Sequence, residues 1–439
     1  MVSILQKRLI VVISLLAIGC SCSGRDTENP SPPTAGQTTA FPVEISLWDG
    51  WSFFRFAPDE RFDPANLPAD NWARVTLPHT ANIEPRVITD QWQGDALYKR
   101  DLVVPEEWEG KPIWLRFEGA MMVARVYLNG EHVFEHKGGY LPFTIDLSDK
   151  LRFDENNRLL VHLDNRHNPI TGPKPLETLD FNYYGGLYRE VRLFVRDSLH
   201  VTDEILANRP ASGGIFVTYP TVSQDNAEVS VKAHVANKGG TLCRFTVAHT
   251  LMDAEQAVVS FTSEDMTLDP MSDLEHVAFF TVESPKVWSP RSPALYRLNT
   301  RIVSEGQVID EHDTHIGIRH IEIDKDGFSI NGEKMFLRGV NRHQEYPYVG
   351  YAISPNADYR DARLIKEAGF DYVRLSHYPH SRHFMRAADE LGLVLLDAIL
   401  GWQYYNPDPA FSEHVMQTCR ELIRRDRNHP SVIAPGNVP

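Results

Sequence analysis

The stretch FLRGVNRHQEYP at residues 336–347 decides the fold, together with DYVRLSHYPH at residues 371–380. In both stretches a short apolar run leads into polar and aromatic residues, the pattern of a buried strand that ends in a loop. We place the first strand at residues 335–337, ending before Gly339, and a helix at residues 356–368, where apolar residues recur at helical spacing. Strand, loop and helix repeated in this order predict the βα units of a parallel sheet. The polar residues after each strand predict a site at the carboxyl edge of that sheet.

The same pattern continues towards the end of the chain. We predict a helix at 383–391, a strand at 394–396 followed by a loop from Asp397, a helix at 409–425 and a last strand from 432. One face of the helix at 409–425 is predicted to be apolar, with Phe411, Val415, Cys419, Leu422 and Ile423. A complete (β/α)8 barrel takes about 250 residues, and 119 residues follow residue 320. Residues 321–439 therefore predict the N-terminal half of a TIM barrel.

Two β domains are predicted before the barrel. Residues 43–197 contain short strands between turns, including the hairpin signal Asn129-Gly130, whose two residues tolerate positive φ. This pattern favours an antiparallel jelly-roll sandwich. Residues 198–320 alternate apolar and polar positions in longer strands, which favours an immunoglobulin-like sandwich. The predicted fold class is thus multidomain, with two β-sandwiches followed by an α/β half-barrel.

The first 42 residues have the pattern of an export signal and a linker. Lys7 and Arg8 precede an apolar run at 9–18, which is too short to span a bilayer. The run ends at Cys20 in a segment that resembles the bacterial lipobox, so we expect residues 1–22 to be a signal with lipidation at Cys20. Ordinary cleavage without a lipid is the alternative. Residues 23–42 are rich in Ser, Thr, Pro and Gly, which predicts a flexible tether. We expect a periplasmic or cell-surface lipoprotein.

Composition narrows the classes of partner. The net charge of −15 disfavours nucleic acid, because phosphate binding needs a basic surface. Eight tryptophans are consistent with stacking on sugar rings, although tryptophans also fill sandwich cores. Of the four cysteines, Cys20 and Cys22 belong to the signal. Cys243 and Cys419 lie in different predicted domains, so we expect two buried, unpaired thiols.

Four motifs, in this order, resemble glycoside hydrolase family 2, which includes β-galactosidases, β-glucuronidases and β-mannosidases. They are DFNYYGGLYREVRL at 180–193, FLRGVNRHQEYP at 336–347, VRLSHYPH at 373–380 and RRDRNHPSVIA at 424–434. The resemblance implies a sugar-binding jelly roll, an immunoglobulin-like sandwich and a catalytic barrel. It implies exo-acting, retaining hydrolysis of a terminal β-linked sugar, for which we expect a β-galactoside; β-glucuronide and β-mannoside are the alternatives.

The resemblance also implies roles for individual residues. Asp180 matches an acidic residue that reaches the bound sugar, in some members partly through a sodium ion. His343 and His377 match histidines that contact sugar hydroxyls, and Arg374 matches the arginine that holds the nucleophilic carboxylate. Neutral donors and acceptors suit hydroxyl groups, and an arginine keeps a nearby carboxylate ionised. The candidate subsite residues are Asn341, Glu345, Asp397 and Trp402. The resemblance implies no obligatory cofactor, with sodium or magnesium ions as an option in the complete family enzyme.

The sequence departs from the family pattern after residue 433. The family places its acid/base Glu in an Asn-Glu pair beyond this strand and its nucleophile Glu several strands later. Here Asn437 is followed by Val438 and the sequence stops at Pro439. We therefore expect that both catalytic Glu residues are absent, that the chain is a truncated or frame-shifted copy, and that it does not turn over alone. Where many members have Asp-Glu after the third strand, this chain has Asp397-Ala398.

The sequence is also compatible with other functional classes. The chain could be a surface lipoprotein that binds carbohydrate without catalysis, anchored to the membrane by its N-terminal lipid, or an inert spacer. His377, His380 and His383 are spaced three apart and suggest a zinc site, but Pro379 disfavours the continuous helix that this would need. The oligomeric state is not predicted.

Overall fold

A computed structural model describes residues 42–254, 256–325, 327–399 and 404–433 of the chain. The predictions for Cys20, Cys22, Trp402, Asn437 and Val438 fall outside these residues. Within them, no helix combines the length and the apolar character that a membrane crossing requires.

The described residues form 25 strands, three α-helices and two short 3-10 helices, numbered along the chain. The strands of the first domain are β1 Val43–Ser46, β2 Trp51–Arg55, β3 Ala73–Val75, β4 Asp95–Val103, β5 Ile113–Phe117, β6 Val123–Leu128, β7 Glu131–Lys137, β8 Phe143–Asp146, β9 Asn156–Asp164 and β10 Val191–Val195. The next are β11 Leu199–Val201, β12 Ile215–Val222, β13 Asn226–Asn237, β14 Cys243–Asp253, β15 Gln256–Thr262, β16 Met266–Leu268, β17 Ser272–Glu283, β18 Tyr296–Ser304 and β19 Gln307–Ile316. The last are β20 Ile321–Asp324, β21 Gly327–Ile330, β22 Glu333–Met335, β23 Gly339–Arg342, β24 Tyr372–Leu375 and β25 Val394–Leu396. The helices are α1 Pro355–Glu367, α2 Arg382–Leu391 and α3 Pro409–Asp426, and the 3-10 helices are Glu106–Trp108 and Leu176–Thr178.

The first ten strands form a jelly-roll sandwich. One sheet has the order β1-β10-β5-β8 and the other β3-β2-β4-β9-β6-β7, and their inner faces enclose one apolar core. The hairpin between β6 and β7 turns at Asn129 and Gly130, which both have positive φ (54° and 89°). This is the turn that the Asn-Gly pair predicts.

Strands β11–β19 form the immunoglobulin-like sandwich. Its first sheet joins β11, β12 and β17 to β13, and its second contains β15-β14-β18-β19 with β16 on β14. A separate apolar core fills the space between the two sheets. The turns at Lys238–Gly240 and Ser304–Gly306 fall between strands, as their glycines predict.

The barrel portion is a parallel sheet of the order β23-β24-β25, with a bridge from Leu395 to Val432 that begins a fourth position. Helices α1 and α2 cover one face through a buried apolar cluster. Ser354 and Ser381 cap the two helices by accepting hydrogen bonds from first-turn backbone N–H groups. The predicted half-barrel is therefore confirmed.

The predicted strand at residues 335–337 is wrong. Met335 ends β22, Phe336 is 84% exposed, and the barrel strand β23 starts only at Gly339. The apolar run belongs to a hairpin that turns at Asn331-Gly332, so it does not continue into the sheet. The first position of β23 requires glycine, because a Cβ at Gly339 would lie 2.1 Å from the carbonyl oxygen of Tyr372 on β24.

The predicted apolar face of α3 is wrong in part. Phe411 is buried and Val415, Cys419 and Leu422 are half-buried, but Ile423 is 45% exposed. The buried side chains of the helix are mostly polar: Phe411, Thr418, Glu421, Arg424 and Asp426. The reason is that α3 docks on the two β domains through polar contacts. Glu421 lies 3.3 Å from His136 of the jelly roll, and Arg424 donates to the amide oxygen of Asn208.

Cysteines and tryptophans follow the predictions only in part. Cys243 and Cys419 are unpaired, as expected, but they are half-buried and not fully enclosed. Trp51, Trp108 and Trp288 are fully buried, so these three fill cores and cannot stack on a sugar.

Arg342 holds the first βα unit together. Its guanidinium donates to Asp358 at 2.8 Å and to Asp361 at 2.7 Å, both on α1, and lies over the ring of Phe384 on α2. Asp358 also accepts from the hydroxyl of Ser381, and both Arg342 and Asp358 are buried. The charge pair therefore links the strand to both helices in a water-poor region.

We predict that Arg342→Met destabilises the chain by about 3–5 kcal/mol, because it leaves the Asp358 carboxylate buried without its cation. Urea unfolding followed by circular dichroism measures the change. Arg363→Met is the matched control, since its pair with Glu367 on α1 is exposed and should contribute only about 0.5 kcal/mol. Equal effects of the two variants would contradict this account of Arg342.

Candidate active site

The three parallel strands present one row of side chains at their interior face. Asn341 of β23 lies beside Arg374 of β24, and Arg374 lies beside Leu396 of β25 in the register. Asn341 and Leu396 are exposed, whereas Val373 and Leu375 point to the opposite face and are buried against the helices. Strand alternation thus directs Asn341 and Arg374 into the interior of the half-barrel.

Just past these strand ends, two histidines meet an aromatic ring from the jelly roll. The ring centres of His343 and His377 are 5.4 Å apart in an edge-on arrangement. The ring of Phe181 lies 5.5 Å from His343 and 5.8 Å from His377. Asp180 precedes Phe181, is exposed, and its charge acts on both histidines. The structure therefore brings Asp180, His343, Arg374 and His377 together around Phe181, and we call these five residues the sugar-facing cluster.

The electrostatics of this cluster keep both histidines uncharged near neutral pH. Burial lowers the pKa of His343 and of His377 below the usual value of about 6.5. The neighbouring Arg374 cation lowers both further, whereas Asp180 opposes the shift. A neutral imidazole has one donor and one acceptor nitrogen, and this pair suits the hydroxyl groups of a sugar.

A layer of buried tyrosines supports the sugar-facing cluster from below. The ring of Tyr378 stacks on Tyr140 at 4.3 Å, and the Tyr378 hydroxyl lies 3.2 Å from Nδ1 of His343. The hydroxyl of Tyr351 donates to the carbonyl of Asn182 and lies 2.9 Å from the hydroxyl of Tyr140. These rings come from the jelly roll and from both barrel loops, so the cluster rests on a shared core.

The two candidate subsite carboxylates, Glu345 and Asp397, both contact other side chains of the protein. Glu345 accepts hydrogen bonds from the hydroxyl of Tyr184 at 2.6 Å and from the amide of Asn182 at 3.5 Å. Asp397 is 7% exposed at its side chain and faces Arg425 on α3, at 3.7 Å. Burial, and then the charge of Asp426, raises the pKa of Asp397 well above its usual range. Glu345 therefore ties a barrel loop to the jelly roll, whereas Asp397 is buried beside Arg425 and its Oδ2 has no hydrogen-bond partner among the described residues.

The three histidines of the suggested zinc site contact different partners. His377 belongs to the sugar-facing cluster, His380 is enclosed against Tyr378 and Phe384, and His383 pairs with Glu190. Across the described ranges, no three His, Cys, Asp or Glu side chains are grouped for a metal ion. The three histidines therefore do not form the suggested zinc site.

Arg189 is a residue that the sequence did not single out, although it lies within the 180–193 motif. Its buried guanidinium donates to the carbonyl oxygens of Glu118 and Tyr140 in the jelly roll, at 3.3 and 2.6 Å. It also donates to the side-chain oxygen of Gln344 at 2.9 Å and to the carbonyl of Pro379 at 3.0 Å. One side chain thus fixes both barrel loops that carry the site histidines.

Comparison with known proteins agrees with this geometry. Three models of glycosyl hydrolases family 2 match consecutive parts of the chain: the sugar binding domain at 61–197, the central family 2 domain at 214–319 and the TIM barrel domain at 321–435. The chain belongs to glycoside hydrolase family 2.

Individual relatives carry two activity names. The chain is 35% identical to a β-galactosidase of Thermoanaerobacterium thermosulfurigenes, over 89% of this chain and 53% of the relative. It is 30% identical to a β-glucuronidase of Bacteroides fragilis, over 89% of this chain and 55% of that protein. A solved β-glucuronidase of Bacteroides uniformis superposes with a TM-score of 0.81 at 28% identity, covering 90% of this chain and 46% of that one. The chain therefore spans about half the length of the curated relatives it matches.

We predict that Arg189→Met weakens sugar binding by about tenfold or more, because Gln344 and Pro379 lose a shared donor and the two loops separate from the jelly roll. Isothermal titration calorimetry measures affinity, and hydrogen exchange of the 343–347 and 376–381 loops measures their order. Arg125→Met is the matched control, since Arg125 pairs with Glu135 on a jelly-roll surface strand. Faster exchange throughout the chain, and not mainly in these loops, would contradict a positioning role.

A second prediction concerns pH. The pKa values of His343 and His377 are lower in the folded chain than the unfolded value of about 6.5, so the folded state resists protonation of both. Sugar affinity should stay constant between about pH 7 and pH 8 and fall only below about pH 6.5. Stability should decline over the same acid range, because the unfolded chain binds protons first. Calorimetric titrations across this range test the prediction; a change in affinity above pH 7 would contradict neutral histidines.

Proposed function

We propose that this chain supplies the sugar-recognition side of the active site of an exo-acting, retaining β-glycosidase. The observation that carries the proposal is the sugar-facing cluster, in which polar groups from two domains meet at the carboxyl ends of parallel strands. Asp180 and the neutral His343 and His377 hydrogen-bond sugar hydroxyls, and the ring of Phe181 packs against a sugar face. The jelly roll closes one end of the site, which suits a terminal sugar.

Retaining hydrolysis needs two carboxyl groups about 5–5.5 Å apart, one as acid/base and one as nucleophile. Glu345 and Asp397 follow barrel strands, but Glu345 accepts a hydrogen bond from the jelly roll and Asp397 is buried beside Arg425. We therefore propose that Glu345 and Asp397 are not the catalytic pair, and that Arg374 holds the nucleophile ionised. On this proposal the residues that the structure describes bind the sugar and do not supply the catalytic pair.

The proposed substrate is a β-galactoside. The 35% identity to a protein named β-galactosidase supports it. A β-glucuronide is the second candidate, which the β-glucuronidase names of another relative and of a solved neighbour favour. The two sugars differ in the configuration at C4 and in the carboxylate at C6, so a cation other than Arg374 that faces C6 would favour the glucuronide.

We also propose that the chain is exported and anchored by a lipid at Cys20. The support is the sequence pattern of residues 1–22, which combines two basic residues, a short apolar run and a lipobox-like cysteine. Mass spectrometry of the mature N-terminus in a bacterial membrane fraction tests this; an unmodified Cys20 would contradict the anchor.

The functional proposal is tested on the full 439-residue chain. Calorimetry should detect binding of galactose or glucuronate. Asp180→Asn should weaken the affinity for the preferred sugar by about tenfold or more. The control Asp149→Asn alters an exposed aspartate of the same domain and should leave affinity unchanged. Nitrophenyl β-galactoside, β-glucuronide and β-mannoside should remain uncleaved.

Two outcomes would overturn parts of this proposal. Hydrolysis at enzyme-like rates would show that the chain holds its own catalytic carboxylates. Glycan binding that neither Asp180→Asn nor His343→Ala affects would favour a non-catalytic binding protein that uses another surface of the jelly roll.

A further inference from the structure

A cavity of about 330 Å³ lies where the jelly roll, the immunoglobulin-like sandwich and the barrel helices meet. It shares no lining residue with the sugar-facing cluster. Six arginines line it: Arg116, Arg192, Arg196, Arg382, Arg424 and Arg425. The cavity is therefore rich in guanidinium groups for a space between domains.

The strand pattern explains why so many arginines face this cavity. Along β10 the inward residues fill the jelly-roll core, while Arg192 and Phe194 point outwards, followed by Arg196. Arg116 of β5 lies opposite Arg192 of β10 in the strand register, so its side chain is on the same outer face. All three guanidinium groups lie 5.2–5.5 Å from the centre of the Phe194 ring. An outer sheet face that would normally meet solvent is here covered by the other two domains.

The carboxylates on the cavity wall are already paired. Glu44 accepts from Arg192 at 2.5 Å, and Glu204 lies 3.0 Å from Arg116, which also pairs with Asp203. Asp313 lies 3.2 Å from Arg297. These acids compensate part of the positive charge of the wall.

Two of the arginines are compensated less closely. Arg196 is 8% exposed, its ion pair with Asp310 is long, at 3.9 Å, and its Nε has no hydrogen-bond partner among the described residues. Arg424 is 2% exposed; its guanidinium donates to the neutral amide of Asn208, and its Nε has no partner among the described residues. Burial lowers the pKa of Arg424. Buried donors without acceptors are costly, so these groups favour an acceptor in the cavity.

We propose that the cavity binds a small multivalent anion, either an inorganic oxyanion such as phosphate or sulfate or a compact polycarboxylate. Both carry the oxygen acceptors that guanidinium groups bind best. The volume corresponds to about ten water molecules, enough for such an anion and part of its hydration. Arg196 belongs to the jelly roll and Arg424 to the barrel helix α3, so the anion links domains. It stabilises the assembled chain, because it binds only where the domains are packed.

The test is binding of phosphate, sulfate and citrate to the full chain by calorimetry, with thermal unfolding in parallel and chloride at matched ionic strength as the reference. We expect saturable binding and a rise in the melting temperature of about 2 °C. If phosphate and sulfate bind but citrate does not, the ligand is an inorganic or phosphorylated anion. If citrate binds but phosphate and sulfate do not, the ligand is a polycarboxylate. No heat and no shift beyond chloride would overturn the proposal.

Variants locate the site. Arg196→Gln and Arg424→Gln should each weaken anion binding by about tenfold, since each removes a charged donor. Arg301→Gln is the matched control, because Arg301 pairs with Glu311 on the surface of the second sandwich. If either glutamine variant fails to fold, Arg196→Lys keeps the charge but loses the paired donors and should still weaken binding. Equal anion effects in wild type and all variants would mean a general salt effect and would overturn the proposal.

Discussion

The guanidinium of Arg189 is the interaction on which the candidate site depends. It is buried and donates to four neutral oxygens, two in the jelly roll and two in the barrel loops. An arginine cannot be deprotonated in a protein, so its removal from water requires that its donors be satisfied. The four oxygens meet this need only when the jelly roll and both loops are in place. The docking of the jelly roll on the barrel and the ordering of the two site loops are therefore coupled.

This coupling explains how half a barrel holds a defined site. The three parallel strands leave an open edge, and their interior residues Asn341 and Leu396 are exposed. Closure comes from the jelly roll, whose tyrosines pack with Tyr351 and Tyr378 in one buried cluster. The loops that carry His343 and His377 thus lie against a second domain and not only against neighbouring strands. Similar polar docking holds α3, whose buried residues include Glu421, Arg424 and Asp426.

The two errors of the sequence prediction have different causes. Apolar spacing predicts a strand at residues 335–337 and an apolar face on α3, because an apolar run normally marks a buried surface. In the structure, Phe336 and Ile423 are exposed, whereas Glu421 and Arg424 are buried against the β domains. Met335 ends a local hairpin with β21, so the run does not enter the parallel sheet. For α3, partners distant in sequence override the local preference.

The sequence by itself determined the features that arise from local backbone chemistry and from periodicity. The Asn129-Gly130 pair predicted its hairpin, and alternation predicted the order of two sandwiches and a half-barrel. The family motifs pointed to Asp180, His343, Arg374 and His377. Only the tertiary structure decided that these residues meet around Phe181, that Arg189 joins the loops, and that arginines on an outer sheet face line a cavity between domains. Some of those contacts join residues more than 100 positions apart, such as Arg189 and Gln344, and no local pattern encodes them.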